Sequence, residues 1–301
     1  MSSLRDHALA ADVYAAGTKT AELTVPVHAG QLHLVQTGPP DGAPIVFLHG
    51  WPQTSRAWAQ VMHLAAKAGY RALALDLPGV GGSRGASTDG STDALAAVVR
   101  DVVESLALSN LTLVGHDLGG MVAYSYLRTY DGVARAVIMN TVVPGVSPWD
   151  QVLANPYVWH FAFHSIADLP ELLVQGRQRL YFDYFFDVLS PERSGVSDES
   201  RAIYAEAYGT GRALTAGFDW YRKLGHDAAV NAAITGPNRT PLLYLRGEHE
   251  RGDIDTYVAG FRDAGLTDVR SAVVEGAGHF SAEDAPVAVW DRLAGFIAET
   301  P

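Results

Sequence analysis

The residues best placed to do chemistry lie in Gly115-His-Asp-Leu-Gly119, where an acidic residue stands near two glycines. An apolar run that begins at Leu111 precedes this segment, and a helical pattern follows it from Met121 to Leu127. A strand, a tight glycine-flanked turn and a helix together expose a nucleophile at the tip of the turn. Asp117 is therefore the predicted nucleophile.

An aspartate at this position predicts a different reaction from the one a serine would carry out. A carboxylate attacks acyl carbons poorly, but it can displace a leaving group from an sp3 carbon and form an ester with the enzyme. The predicted substrate is therefore an epoxide or an alkyl halide. Ordinary ester hydrolysis is disfavoured, because Ser125 lies two helical turns beyond the elbow and should not reach the site.

Hydrolysis of such an ester requires a base that activates water, and histidine has a pKa suited to this task near neutral pH. His279 lies in Gly276-Ala-Gly-His-Phe280, after an apolar run and before the last helical pattern. In chain order it follows the nucleophile, as the base of this kind of triad does. His279 is the predicted base.

An acid that orients the base is expected in the loop after residue 245, which contains Glu248, Glu250 and Asp253. An alternative position follows an earlier strand, where this chain has Asn140. An amide cannot supply the negative charge that stabilises an imidazolium, so the later loop is favoured.

The elements that must position these residues alternate between strand and helix patterns on both sides of a long interruption. Strands are predicted over 21–27, 32–36, 44–48, 71–77, 111–115, 133–139, 241–245 and 269–274, and helices over 55–68, 92–108, 253–264 and 285–299, with a short helix and a loop over 1–20. Residues 144–238 are rich in aromatic residues and helical patterns. This order predicts an α/β-hydrolase fold, a mostly parallel eight-stranded sheet with helices on both faces and an inserted helical cap. The predicted core is 1–143 and 239–301, and the predicted cap is 144–238.

The amino-acid composition limits which binding partners and which cellular compartment are expected. The 301 residues carry a net charge of −11, which disfavours binding to nucleic acid or to an anionic membrane surface. The chain has no cysteine, which excludes disulfides, thiolate nucleophiles and cysteine-ligated metals. It has no apolar run near the ~20 residues that span a bilayer, and its start lacks the apolar core of a signal peptide. We predict a cytoplasmic enzyme without metal or cofactor, and a homodimer stays an open alternative to a monomer.

Together these motifs resemble the epoxide hydrolase branch of the α/β-hydrolase superfamily, and the resemblance covers most of the chain. It is carried by His49-Gly-Trp-Pro52, Gly115-His-Asp-Leu-Gly-Gly120, the predicted cap and Gly278-His-Phe280. It implies conversion of an epoxide and water into a vicinal diol through an ester on Asp117, without a cofactor.

The resemblance also implies roles for residues beside the nucleophile. Glu250 is the implied acid, because Gly-Glu-x-Glu is similar to the Gly-Glu-x-Asp that ends this strand in related enzymes, and Glu248 is the alternative. The backbone N–H groups of Trp51 and Leu118 are expected to form the oxyanion hole. A cis bond is expected before Pro52.

Two segments of the predicted cap complete the resemblance. Trp159-His-Phe161 and Phe218-Asp-Trp-Tyr-Arg222 are similar to segments that, in one bacterial subgroup, present a histidine and a tyrosine to the epoxide oxygen. The implied donors are His160 and Tyr221, which would stabilise the alkoxide as the ring opens. The side chains expected to line the pocket of an apolar or aryl epoxide are Trp51, Trp159, Phe161 and Tyr181.

Two other functions stay open. Haloalkane dehalogenases carry a tryptophan directly after the nucleophile that binds halide, and fluoroacetate dehalogenases carry arginines in the same stretch, where this chain has Leu118 and Met121. A dehalogenase would therefore need other halide ligands. A non-catalytic small-molecule binder would have no reason to keep a nucleophile, a base and an acid together. The particular epoxide, the carbon attacked and the enantiomer formed depend on pocket shape and are not predicted.

Overall fold

The computed structural model describes residues 20–191 and 195–300. The short helix and loop predicted for residues 1–20 lie outside this range except for residue 20, which begins the first strand. Among the described residues, none of the helices combines the length and the apolar character needed to cross a bilayer.

One sheet of eight strands forms the centre of the molecule, in the order β1-β2-β4-β3-β5-β6-β7-β8. The strands are β1 (Thr20–Val27), β2 (Gly30–Thr37), β3 (Pro44–Leu48), β4 (Arg71–Leu75), β5 (Leu111–His116), β6 (Val133–Met139), β7 (Leu242–Gly247) and β8 (Val269–Val274). Strand β2 runs antiparallel to both β1 and β4, whereas the strands from β4 across to β8 are parallel. This is the predicted α/β-hydrolase fold.

Helices cover the sheet, and along the chain they lie between its strands. Those of the core are α1 (Ala59–Lys67), α2 (Thr92–Ser105), α3 (Leu118–Thr129), α11 (Ile254–Asp263), α12 (Ser281–Asp284) and α13 (Pro286–Glu299). Between β6 and β7 lie α4 (Trp149–Leu153), α5 (Trp159–Ser165), α6 (Leu169–Val174), α7 (Gln178–Leu189), α8 (Asp198–Ala207), α9 (Gly211–Arg222) and α10 (Leu224–Ala233), here called the cap helices. The cap helices fall inside the range predicted for the cap.

The central strands are apolar because both of their faces are covered. Every residue of β5 is buried, and β3 and β4 are buried beyond their first residues. Parallel strands with helices on both faces are expected to read as such continuous apolar runs. Since the carboxyl ends of parallel strands share one edge of the sheet, the segments after β3, β5, β6, β7 and β8 meet there.

Two predicted helices differ from the observed ones by more than one residue at an end. The helix predicted over 55–68 begins with a separate 3-10 turn, Ser55–Trp58, in which the Thr54 side chain accepts from the N–H of Arg56. The helix predicted over 92–108 stops at Ser105, because the chain enters the left-handed region at Ala107, with φ of 50°. Neither difference moves a residue of the predicted site.

Candidate active site

The turn between β5 and α3 holds Asp117 in a strained backbone conformation, with φ of 51° and ψ of −121°. The nearby glycines make the turn possible. A Cβ on Gly115 would collide with the carbonyl oxygen of Gly119, and one on Gly119 would collide with the carbonyl oxygen of Leu48. Close packing of β5, α3 and the end of β3 therefore holds the carboxylate at the edge of the sheet, where its side chain keeps 15% of its accessibility.

Two backbone N–H groups point at this carboxylate. Trp51 N donates to Asp117 Oδ1 over 2.9 Å, and the N–H of Leu118 also hydrogen-bonds the carboxylate. Gly50 is required because a Cβ there would lie 2.7 Å from the same Oδ1 atom. The Trp51–Pro52 bond is cis. An oxyanion formed on Asp117 would thus have two backbone donors near it.

His279 lies between two carboxylates. Its Nδ1 is 3.0 Å from Glu250 Oε1, and its Nε2 is 3.6 Å from Asp117 Oδ2. Burial disfavours the charged imidazole, but the hydrogen bonds and charges of Asp117 and Glu250 outweigh it and raise the pKa of His279. Burial acts against the Asp117 carboxylate as well, and contact with His279 lowers its pKa. The resting pair is an imidazolium and a carboxylate.

Glu250 is held by more than its histidine. Asn140 Nδ2 donates to Glu250 Oε2 over 2.9 Å, and Arg246 Nη2 lies 3.4 Å from the same oxygen. Burial opposes ionisation, but His279, Arg246 and Asn140 together lower the pKa of Glu250. The alternative acid, Glu248, is exposed and accepts a hydrogen bond from the backbone N–H of Gly276.

A second buried histidine supports the loop that carries His279. His116 Nε2 lies 2.7 Å from the carbonyl oxygen of His279. A carbonyl can only accept, so Nε2 of His116 carries the proton. Burial, together with the nearby charge of His279, lowers the pKa of His116 to about 4, so this ring stays neutral and keeps its donor.

The cap helices bring His160 and Tyr221 to the same place. Their ring centroids are 5.8 Å apart, and each ring packs near Trp51, at 6.4 Å for His160 and 5.8 Å for Tyr221. Burial raises the pKa of Tyr221 well above its usual value, and the charge of Asp117 raises it further. Burial lowers the pKa of His160 to about 4. At neutral pH the site therefore has a protonated phenol and a neutral imidazole near Asp117.

The predicted pocket residues occupy different positions around this pair. Phe161 packs on Tyr221, with centroids 5.5 Å apart, and the ring of Tyr181 lies 6.1 Å from that of Trp51. Trp159 is 41% exposed and stacks on Phe185 at 5.9 Å. Trp159 therefore reaches the site through its neighbours rather than through contact with Trp51.

Sequence reasoning missed His164, which is fully buried in the centre of this cluster. Its ring lies 4.6 Å from that of Trp51 and 4.4 Å from that of Tyr221, and its Nε2 is 2.7 Å from the hydroxyl oxygen of Tyr181. Burial lowers the pKa of His164 well below its usual value. A signal was available, because His160 and His164 are four residues apart and share one face of a helix.

Comparison with known proteins shows the family to which the chain belongs. The family model described as alpha/beta hydrolase fold matches residues 43–286, and the chain belongs to that family. The soluble epoxide hydrolase of Corynebacterium sp. (strain C12) is 27% identical, over 90% of this chain and 95% of its own length.

Solved structures give the same result. Cfl2 of Burkholderia cenocepacia superposes with a TM-score of 0.83 at 30% identity, covering 92% of this chain and 95% of the other. The Cif epoxide hydrolase of Acinetobacter nosocomialis gives 0.81 at 25% identity, covering 95% and 91%. The resemblance to epoxide hydrolases predicted from the motifs is confirmed.

Proposed function

We propose that this protein is an epoxide hydrolase that forms an ester on Asp117 and releases a vicinal diol. The observation that carries the proposal is the position of Asp117, whose Oδ1 accepts from the N–H of Trp51 and whose Oδ2 faces His279. The relatives named as epoxide hydrolases, which match about nine-tenths of the chain, support the same substrate class.

In the first step, an oxygen of Asp117 bonds to an epoxide carbon and the carbon–oxygen bond of the ring breaks. The leaving oxygen becomes an alkoxide, which departs poorly unless a donor stabilises it as the bond breaks. Tyr221 supplies an O–H for this purpose, and His160 is the second group beside it. The alkoxide ends as a hydroxyl, so it takes up one proton.

Alkylation also changes the base. An ester at Asp117 carries no negative charge, so one of the two carboxylates that raise the pKa of His279 is lost. His279 then gives up its proton, which balances the proton gained by the alkoxide. The first half-reaction thereby converts an imidazolium that cannot accept a proton into the neutral base that the second half-reaction requires.

In the second step, His279 takes a proton from water, and the resulting hydroxide attacks the carbonyl carbon of the Asp117 ester. The oxyanion of the tetrahedral intermediate accepts from the N–H groups of Trp51 and Leu118. Collapse breaks the bond to the substrate oxygen, which takes the proton from His279 as the diol leaves. The acid left on Asp117 protonates His279, and the ion pair is restored.

Replacement of His279 should separate the two steps. We expect His279→Gln to accumulate a covalent adduct on the peptide that contains Asp117, because alkylation uses the carboxylate and the donors of the cap helices, whereas hydrolysis also needs the base. Intact-protein mass after mixing with a styrene-type epoxide measures the adduct. Two controls are Asp117→Asn, which should form none, and His249→Gln in the exposed part of the neighbouring loop, which should turn over like the parent.

An adduct on any residue other than Asp117, or normal turnover by His279→Gln, would overturn the mechanism. Halide release from haloalkanes or haloacids without diol from any epoxide would indicate a dehalogenase instead. Ligand binding without turnover, unchanged by Asp117→Ala, would indicate a binding protein.

A panel of aryl and aliphatic epoxides tests the proposed preference for an apolar or aryl substrate. The cytoplasmic location stays a prediction.

A further inference from the structure

A second group of ligand-type side chains lies where the cap helices meet the core, away from Asp117. It consists of Asp93 in the first turn of α2, and His226 and Asp227 in the first turn of α10. One potential ligand atom from each residue lies within 4.8 Å of the other two, and His226 Nε2 is 3.7 Å from Asp93 Oδ1.

Asp227 has an oxygen that the protein leaves unsatisfied. The residue is 1% exposed, and its Oδ1 accepts from the backbone N–H of Thr92, which caps α2 from the neighbouring helix. Capping accounts for Oδ1 only. The other oxygen, Oδ2, is buried and makes no hydrogen bond among the described residues. A buried acceptor without a donor is costly, so it marks a place where a ligand would be stabilised.

The local charge favours a cation as that ligand. Asp93 and Asp227 place two carboxylate oxygens within 4.8 Å of one another. The nearest lysine, Lys223, extends its ammonium to Asp89 at 2.8 Å. The two carboxylates of the group therefore repel one another, and a divalent ion between them would remove the repulsion.

We propose that Asp93, His226 and Asp227 bind a divalent transition-metal ion of the zinc type. One imidazole nitrogen and two carboxylate oxygens are ligands that zinc accepts, and the histidine favours it over magnesium or calcium. Bonds of about 2.0–2.2 Å to a tetrahedral ion place its ligand atoms roughly 3.4 Å apart, so the exposed side chains of Asp93 and His226 need only small rotations. Two of the ligands are exposed, and water can complete the coordination.

The ion would join two parts of the molecule. Asp93 comes from a core helix, whereas His226 and Asp227 come from the last cap helix before β7. Binding to the folded chain stabilises it in proportion to the logarithm of the metal concentration. The expected consequence is a cap that is held more firmly against the core, independent of the reaction at Asp117.

Zinc titration of the untagged full chain tests the proposal. Calorimetry with zinc chloride should show one ion per chain, and the thermal unfolding temperature should rise with zinc concentration. The variant His226→Gln should lower the zinc affinity by at least about tenfold, as loss of a metal-site partner does. Asp227→Asn keeps an acceptor for the Thr92 N–H and should also weaken binding.

His28→Gln is the matched control. His28 Nδ1 is 2.6 Å from Asp101 Oδ2, an exposed histidine–carboxylate pair like that of His226 and Asp93, but it is not one of the described groups of three ligands. This variant should bind zinc as the parent does. Absence of zinc binding, or affinity equal to the parent's in both His226→Gln and Asp227→Asn, would overturn the proposal, since any zinc bound would then lie elsewhere.

Discussion

At the scale of single residues, removal of the negative charge of Glu250 is expected to cause a large fall in kcat. Glu250→Gln keeps the size of the side chain and can keep an acceptor for His279, but it removes the charge that stabilises the imidazolium. We expect kcat to fall by roughly 10²- to 10⁴-fold, in the range seen when a triad loses its acid. Single-turnover kinetics should place the loss mainly in hydrolysis of the Asp117 ester.

Glu248→Gln is the control for this change. Its carboxylate accepts from the Gly276 N–H over 2.9 Å, whereas His279 pairs with Glu250. Its kcat should stay within a few-fold of the parent's. A larger loss in Glu248→Gln than in Glu250→Gln would reverse the assignment of the acid.

The proximity of Asp117 and His279 could be predicted because each belongs to a local pattern at the end of a strand. Asp117 lies in a glycine-flanked turn, and His279 follows a strand late in the chain. The support of Glu250 could not be predicted in this way. Asn140 contacts it across 110 residues of sequence, and Arg246 approaches it because its guanidinium packs over Tyr257 at 4.3 Å. Such contacts depend on the packing of two loops, which no short pattern encodes.

At the scale of elements, the bounds of three strands were predicted correctly. Strands β3, β6 and β8 have the predicted limits, 44–48, 133–139 and 269–274. In β3 and β6 an apolar run ends where the buried part of the strand ends, whereas β8 is a partly exposed strand at the edge of the sheet. Helix ends were less accurate, because they depend on caps and on single backbone angles such as that of Ala107. His164 was missed for a related reason. Its spacing of four residues from His160 places both on one face of α5, but this helix has only seven residues, so the spacing alone does not show that the shared face packs on Trp51.

The contact between α3 and β3 gives a prediction for the elbow as an element. Gly119→Ala places a methyl group against the backbone carbonyl of Leu48, which cannot move without distorting the central sheet. We expect a loss of about 1–3 kcal/mol in the free energy of unfolding, together with lower activity as Asp117 shifts. Urea denaturation measures the first and diol formation the second.

Gly295→Ala in α13 is the matched control. A Cβ at Gly295 meets no heavy atom within 4 Å, so helix propensity alone should decide the effect. This variant should gain about 0.5–1 kcal/mol and keep its activity. Equal effects of the two substitutions would show that the elbow is not tightly packed.

At the scale of the whole molecule, the site is complete only when the sheet and the cap helices come together. The sheet edge supplies Asp117, Glu250 and His279, and the cap helices supply His160 and Tyr221. Alternation of strands and helices predicted the first part of this arrangement. The orientation of the cap helices over the sheet follows from aromatic packing around Trp51, which joins segments that lie far apart in the sequence.

Two buried histidines in this assembly should give the stability of the protein opposite pH dependences. His164 has a lowered pKa, so between that value and about 6.5 the folded state binds fewer protons than the unfolded state. The stability that depends on a neutral His164 is present above pH 6.5 and is lost as the pH falls. We therefore expect the stability of the parent, relative to His164→Phe, to decrease from about pH 7 to about pH 5.

His279 has the reverse shift, from a usual 6.5 to about 10, through its contacts with Asp117 and Glu250. Its contribution is fully present below pH 6.5 and is lost as the pH rises toward 10. The stability of the parent relative to His279→Gln should therefore decrease from about pH 6.5 to about pH 9.5. Urea denaturation of the parent and both variants at about pH 5, 7 and 9.5 measures both slopes. If the stability differences between the parent and the two variants do not change with pH, then neither His164 nor His279 has a pKa that differs between the folded and unfolded states, and both expectations are wrong.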